Sequence, residues 1–309
     1  MQLRHVLLPL AAACLLAGCG KEDAASRPLP RKEPPTQLVE QESYCGENAY
    51  IHCAAICSLG PRISGTPAYE AQLDYLQKHL ESAGWTVYRD VFSVRGVRMT
   101  NLRAIWGDAS APRPMLLSCH IDTKRNVAPD FISADDGASG AACLLELARV
   151  LSGKAETAKQ TELIFLDGEE SFAPRMSSSD GLYGSTYDVA RRKGALPRWQ
   201  LNLDMVGGRN KIIAIPGLDT SQYMYDQYER ARKALRFPET RWTAWPDSYL
   251  DDHRPYLEAG VDSLNLIAHF VGSDWWHTTR DNMERICPRS LRETGEMVLQ
   301  LLRQILPSA

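Results

Sequence analysis

Short apolar runs alternate with amphipathic helical runs over most of this chain, and that alternation restricts the fold more than any other feature. PMLLS (114–118), TELIFLD (161–167), LNLDMV (201–206), KIIAI (211–215) and DSLNLIA (262–268) read as buried strands. SGAACLLELARVLSG (139–153), TSQYMYDQYERARKAL (220–235) and SLRETGEMVLQLLRQIL (290–306) read as helices, the last opening on Ser290 and Glu293 at capping-box spacing. Upstream, GTPAYEAQLDYLQKHLESAGW has Thr66 as a cap, Pro67 in the first turn, one stripe of Leu73, Leu76, Leu80 and Ala83, and Gly84 as a stop. TVYRDVFSV (86–94) alternates like a strand, with MTNLRAIWG (99–107) as a partner. Buried strands alternating with helices predict an α/β fold whose mostly parallel sheet is covered on both faces.

The first residues follow other rules. MQLRH carries positive charge, VLLPLAAACLLA is apolar, and AGC follows at 17–19. The apolar run is short for a membrane span and ends in small residues, which marks a secretory signal. LLAGC resembles a bacterial lipobox, which implies a signal peptide over 1–18 and a lipid on Cys19. The chain is then expected in the bacterial cell envelope, held to a membrane through that lipid. Gly20, in place of the aspartate associated with inner-membrane retention, inclines to the outer membrane, facing the periplasm or the surface. Residues 19–44 are rich in Pro and charge and predict a disordered tether, leaving 45–309 as one domain. The net charge is −3 with no basic block, which argues against nucleic acid. Apart from Cys14 and Cys19, the cysteines are Cys45, Cys53, Cys57, Cys119, Cys143 and Cys287, and the first three lie close enough to suggest one local bridge.

In open α/β sheets, ligands bind beyond the carboxyl ends of the strands. Reading off those ends gives His120 and Asp122 in HID, Asp135 and Asp136 in ADDGASG, Glu169 and Glu170 in FLDGEES, Asp204 in LNLD, and His277 in DWWHTTRDN. Neighbouring side chains of an extended segment point to opposite sides. One of Glu169 and Glu170 can therefore hold something while the other reaches into the space beside it. A mixture of imidazole and carboxylate suits zinc. His5, His52, His79 and His269 sit at no such edge, and Trp85 and Trp106 read as core.

HxD, DDxASG, GEE, LDM and HTxxDN, in that order, resemble the zinc aminopeptidase and glutaminyl cyclase family, metallopeptidase family twenty-eight, over roughly residues 50–305. The resemblance implies a single α/β domain with a mixed, mainly parallel central sheet and helices on both faces. It makes Asp136, Glu170 and His277 ligands of one zinc, and Glu169 the general acid/base. It makes Asp122 the carboxylate that orients His120, and gives Asp281 a similar supporting role near His277.

Two chemistries share that framework, both acting on peptide or protein N-termini. A cyclase closes an N-terminal glutamine to pyroglutamate with release of ammonia, using one zinc. An aminopeptidase uses two, with His120 and Asp204 completing the second site. LDGEESF followed by GLYGS, CHIDTK, and Trp276 before His277 resemble the cyclase branch more closely. Asp251 in DDHRPYL falls where cyclases keep an aspartate bonded to the Glu169 and Asp204 positions, so all three are candidate catalytic groups. Trp276 is the candidate pocket wall. Arg175 stands where animal cyclases have a second wall tryptophan; Trp275 or the Ser-rich loop is the candidate substitute. Cys143 sits two positions beyond the family cysteine that pairs with the Cys119 position, about 200° around a helix. A third reading, a binding domain that has lost catalysis, is disfavoured because every ligand and the Glu169 base are intact.

Overall fold

In chain order, the computed structural model, which describes residues 37–306, begins with two helices, α1 (Gly46–Cys57) and α2 (Pro67–Ser82). Thr66 caps α2 by accepting from the Tyr69 amide at 3.3 Å. Strands β1 (Thr86–Val94) and β2 (Val97–Ile105) pair antiparallel. Their two-residue turn, Arg95–Gly96, has φ of 51° and 80°, the left-handed geometry that matches strand twist. Then come β3 (Met115–His120), α3 (Gly140–Ser152), α4 (Ala155–Lys159), β4 (Thr161–Leu166), α5 (Tyr183–Arg191) and β5 (Trp199–Asp204). The chain continues with β6 (Ile213–Pro216), α6 (Gln222–Ala234), β7 (Trp242–Trp245), α7 (His253–Glu258), β8 (Asp262–Ile267) and α8 (Pro288–Ile305). No helix among the described residues is long and apolar enough to cross a membrane.

The main sheet has the order β1-β2-β4-β3-β5-β8, parallel from β4 to β8 and antiparallel at the β1–β2 edge. This is the expected α/β architecture with a mixed, mainly parallel sheet. Strand periodicity divides the core. Leu117, Leu163 and Phe165 face the large cluster under α2, α3 and α8, while Leu116, Ile164 and Leu166 face Tyr256 of α7 and Val189 of α5. From β3 the chain moves to β4 on one side, then crosses to β5 on the other. That reversal opens a crevice at the carboxyl ends of β3, β4 and β5.

Several expectations are corrected. KIIAI does not join the main sheet; β6 pairs with β7 in a separate two-stranded sheet, Ile213 opposite Trp242. The Ser290–Glu293 capping box does not form. α8 starts earlier, with Pro288 in its first turn, and Glu293 binds Arg241 at 2.7 Å and Arg289 at 2.9 Å. No bridge joins Cys45, Cys53 and Cys57: all six cysteines of the described domain are free thiols. Cys45 precedes α1, and Cys53 lies inside it with its thiol toward the Ala134 carbonyl at 3.4 Å. The signal segment, Cys19 and the tether as far as residue 36 lie outside the described residues. The tether's last part is folded. Val39 exchanges two hydrogen bonds with the Asn48 amide, Arg149 donates to the carbonyls of Gln41 and Ser43, and Tyr44 is buried.

Tyr44 packs so closely on Gly295 of α8 that a Cβ there would stand 2.3 Å from its ring. Tyr44→Ala is expected to cost about 3 kcal/mol, as truncation of a buried aromatic does. A urea titration of the soluble domain reads this as a lower midpoint at unchanged slope. An unshifted midpoint would return residues 37–44 to the tether.

Candidate active site

Several chemical side chains of the crevice stand where a buried strand ends. His120 is the last residue of β3, Asp204 the last of β5, and Glu169 and Glu170 follow β4 across Gly168. Gly168 has φ 71°, and a Cβ would meet the Met99 sulfur at 2.7 Å, so the turn needs glycine. Asp135 and Asp136 lie in a kinked turn, Ala134–Ser139, just before α3, where Asp136 and Gly137 leave helical geometry. His277 comes from the loop after β8 with φ 51°, a left-handed conformation costing about 1 kcal/mol for a residue with a Cβ.

Asp136 is the centre of the arrangement. Its Oδ1 lies 3.0 Å from His120 Nε2, and its Oδ2 lies 3.3 Å from His277 Nε2. His120 Nε2 also meets Asp204 Oδ1 at 3.2 Å, and His277 Nε2 meets Glu170 Oε1 at 3.1 Å. Two triads result, Asp136–Glu170–His277 and His120–Asp136–Asp204, each with its donor atoms within 4.8 Å of one another. Burial opposes charge on His277, but hydrogen bonds to Asp136 and Glu170 hold its pKa up at about 10. Burial alone would raise Asp136, yet its bonds with both histidines hold it below the usual carboxylate range. Asp136 Oδ2 is buried, with only the long, poorly aligned contact to His277 Nε2 to satisfy it. A divalent cation fits this set, because it satisfies that oxygen and stabilises several buried carboxylates together.

Asp122 and Asp281 both grip backbone beside a candidate ligand, and Asp122 also lies next to His120. Asp122 accepts from the backbone N–H of Glu169 at 3.1 Å and of Glu170 at 3.2 Å, while its Oδ1 stands 3.6 Å from His120 Nδ1, too far for a hydrogen bond. Asp281 accepts from Asp135 N–H at 2.7 Å and Asp136 N–H at 3.1 Å, and has no bond to His277. Both carboxylates therefore orient backbone next to a ligand.

Asp251 departs from expectation, having no hydrogen bond to Glu169 or Asp204. Asn265 and Asn202 donate to its two oxygens at 2.6 and 3.2 Å, fixing its orientation in the pocket. The Glu169 carboxyl has no hydrogen bond within the described residues. Burial, then the neighbouring Glu170 and Asp251, push its pKa well above normal. Burial likewise raises Asp204, with Asp251 adding to it.

These groups floor a pocket of about 360 Å³ walled by Tyr249, Leu250, Phe270 and Trp276, with Arg175 and Met176 from the loop after Glu170. Trp276 stacks on His277 at 4.0 Å and Phe270 lies against Trp276 at 4.6 Å. Trp275 does not replace the absent wall tryptophan. It is buried under the Arg285 guanidinium at 3.4 Å, and Arg285 reaches Asp135 at 3.0 Å. Lys124, Tyr249 and Phe270 were not singled out in the sequence. Lys124 Nζ is buried 3.2 Å from Glu170 Oε2, and its one signal was its place in CHIDTK. A larger cleft of about 850 Å³ lies elsewhere, where Arg103 and Arg192 both pair with Glu162.

The description Peptidase family M28 matches residues 101–302, and the chain belongs to that family. Among individual relatives, a glutaminyl-peptide cyclotransferase of Gloydius blomhoffii is 29% identical over 273 residues, covering 73% of this chain and 72% of its own. The solved glutaminyl cyclase of Porphyromonas gingivalis superposes with a TM-score of 0.77 at 27% identity, covering 85% of this chain and 99% of that one. Aminopeptidase YwaD of Bacillus subtilis (strain 168) is 28% identical over 198 residues, 60% of this chain and 40% of its own.

The Asp281 clamp can be tested directly. Asn at 281 keeps the shape but turns an N–H₂ toward one of the two amides. Asp281→Asn is expected to weaken metal binding about 10- to 100-fold, as loss of support behind a ligand does. Competition with a chromophoric chelator measures this; unchanged affinity would reduce the clamp to a packing contact.

Proposed function

We propose that this chain is a zinc-dependent glutaminyl-peptide cyclotransferase, closing the N-terminal glutamine of peptides or proteins to pyroglutamate with release of ammonia. The observation that carries the reading is the setting of Glu169. Its carboxyl is buried, unpaired and high in pKa, and it faces a small apolar-walled pocket beside the Asp136–Glu170–His277 triad. Those three residues would hold the zinc, which supplies a Lewis acid for the glutamine carboxamide.

The reaction joins the substrate's α-amine nitrogen to its side-chain carbonyl carbon and breaks the carbon–nitrogen bond to the carboxamide nitrogen. Both reacting groups belong to one residue, so holding its folded conformer supplies much of the rate. Glu169 takes the proton that the amine loses and passes it to the departing nitrogen, leaving as ammonia. A carboxyl with a raised pKa suits both halves of that transfer. Trp276 and Phe270 pack the glutamine stem and exclude water.

A second reading rests on the other triad. His120 and Asp204 meet Asp136 in the arrangement a second zinc would need, and with two ions the site suits an aminopeptidase in which Glu169 activates water. The sequence around Cys19 supports placement in the bacterial cell envelope by a lipid anchor.

Purified protein lacking the signal segment, given a glutamine-initiated and a leucine-initiated dipeptide, is expected to release ammonia from the first and leave the second intact. Free leucine without ammonia would transfer the assignment to the aminopeptidase. Glu169→Gln is expected to lower turnover at least about 100-fold while keeping zinc, and His277→Ala to lose both. Loss of zinc from the glutamine variant would reject the division of labour between the two glutamates.

A further inference from the structure

Resting on the cyclase reading, we propose that Arg175 selects substrates with an acidic residue directly after the N-terminal glutamine. Arg175 lines the pocket from the loop that leaves Glu170 and is exposed to solvent. It has no hydrogen bond or ion pair with any described residue. Several other arginines are engaged: Arg103 with Asp90, Arg192 with Asp188, Arg254 with Asp219 and Arg285 with Asp135. The acidic floor does not account for it either, since Lys124 already pairs with Glu170 at 3.2 Å.

The pocket is therefore graded in charge. Its floor, with Asp136, Glu169, Glu170, Asp204 and Asp251, suits the amine end of a peptide. Its lining also includes exposed apolar groups, Leu250 at 41% and Trp276 at 38%. Beside them in the lining is the free guanidinium of Arg175. Nearby, Arg125 lies 4.2 Å over the Phe172 ring and also lacks a carboxylate partner. A peptide entering amine first brings its second side chain to this rim, where a carboxylate gains a bidentate partner.

The test compares Gln-Glu-Ala-amide, Gln-Gln-Ala-amide and Gln-Lys-Ala-amide by ammonia release; amidation leaves the glutamate side chain as the one carboxylate. For an exposed pair the acidic peptide is expected to lead its isosteric neutral partner by about three- to tenfold in kcat/KM at low salt. The difference should lie mainly in KM and fall as salt is raised. Arg175→Met should bring the peptides within about twofold of one another, Arg175→Lys should keep part of the preference, and Arg175→Glu should turn it toward the lysine peptide. Equal rates for the unsubstituted protein, or a preference that survives in Arg175→Met, would overturn the assignment while leaving the cyclase intact. No ammonia from any of the three would overturn the cyclase reading and this one with it.

Discussion

Asp122 and Asp281 each use both carboxylate oxygens on two successive backbone amides, and the geometry of the site follows from those two clamps. One holds Glu169–Glu170, the other Asp135–Asp136. In both pairs one residue is a candidate metal ligand. A strand end or helix start fixes only where the backbone arrives. An anion gripping two consecutive N–H groups also fixes how the peptide planes are turned, and so which of two adjacent carboxylates points inward. Burial makes such bonds strong and their loss costly.

The same crowding sets the electrostatics. Asp136, Glu169, Glu170, Asp204 and Asp251 are all nearly inaccessible and close together. Buried carboxylates at such spacing cannot all ionise without compensation. Two imidazoles, Lys124 and the amides of Asn202 and Asn265 offset four of them in different combinations. Glu169 is left with the least help.

Which residues would share an edge was legible in the sequence, because His120, Glu169 and Asp204 each stand at or just beyond the end of a short strand of mainly apolar residues. The sheet and its main helices were legible for the same reason of periodicity. What the carboxylates bind was not. The Asp281 clamp spans 146 residues and targets main chain, which has no sequence signature. Lys124 reads as an ordinary surface lysine until Glu170 and Ser171 enclose it. The helix over Gly46–Cys57 was overlooked because its apolar residues form no clear stripe. Its small residues let it pack closely on its neighbours, and at Gly46 a Cβ would meet the Pro288 carbonyl at 2.1 Å.

That last contact joins the beginning of the domain to its end. Tyr44 and α1 lie on α8, so the opening of the described domain is buried only once its last helix is in place. Contacts of such long sequence separation form slowly, because a long loop must be ordered before they can be made.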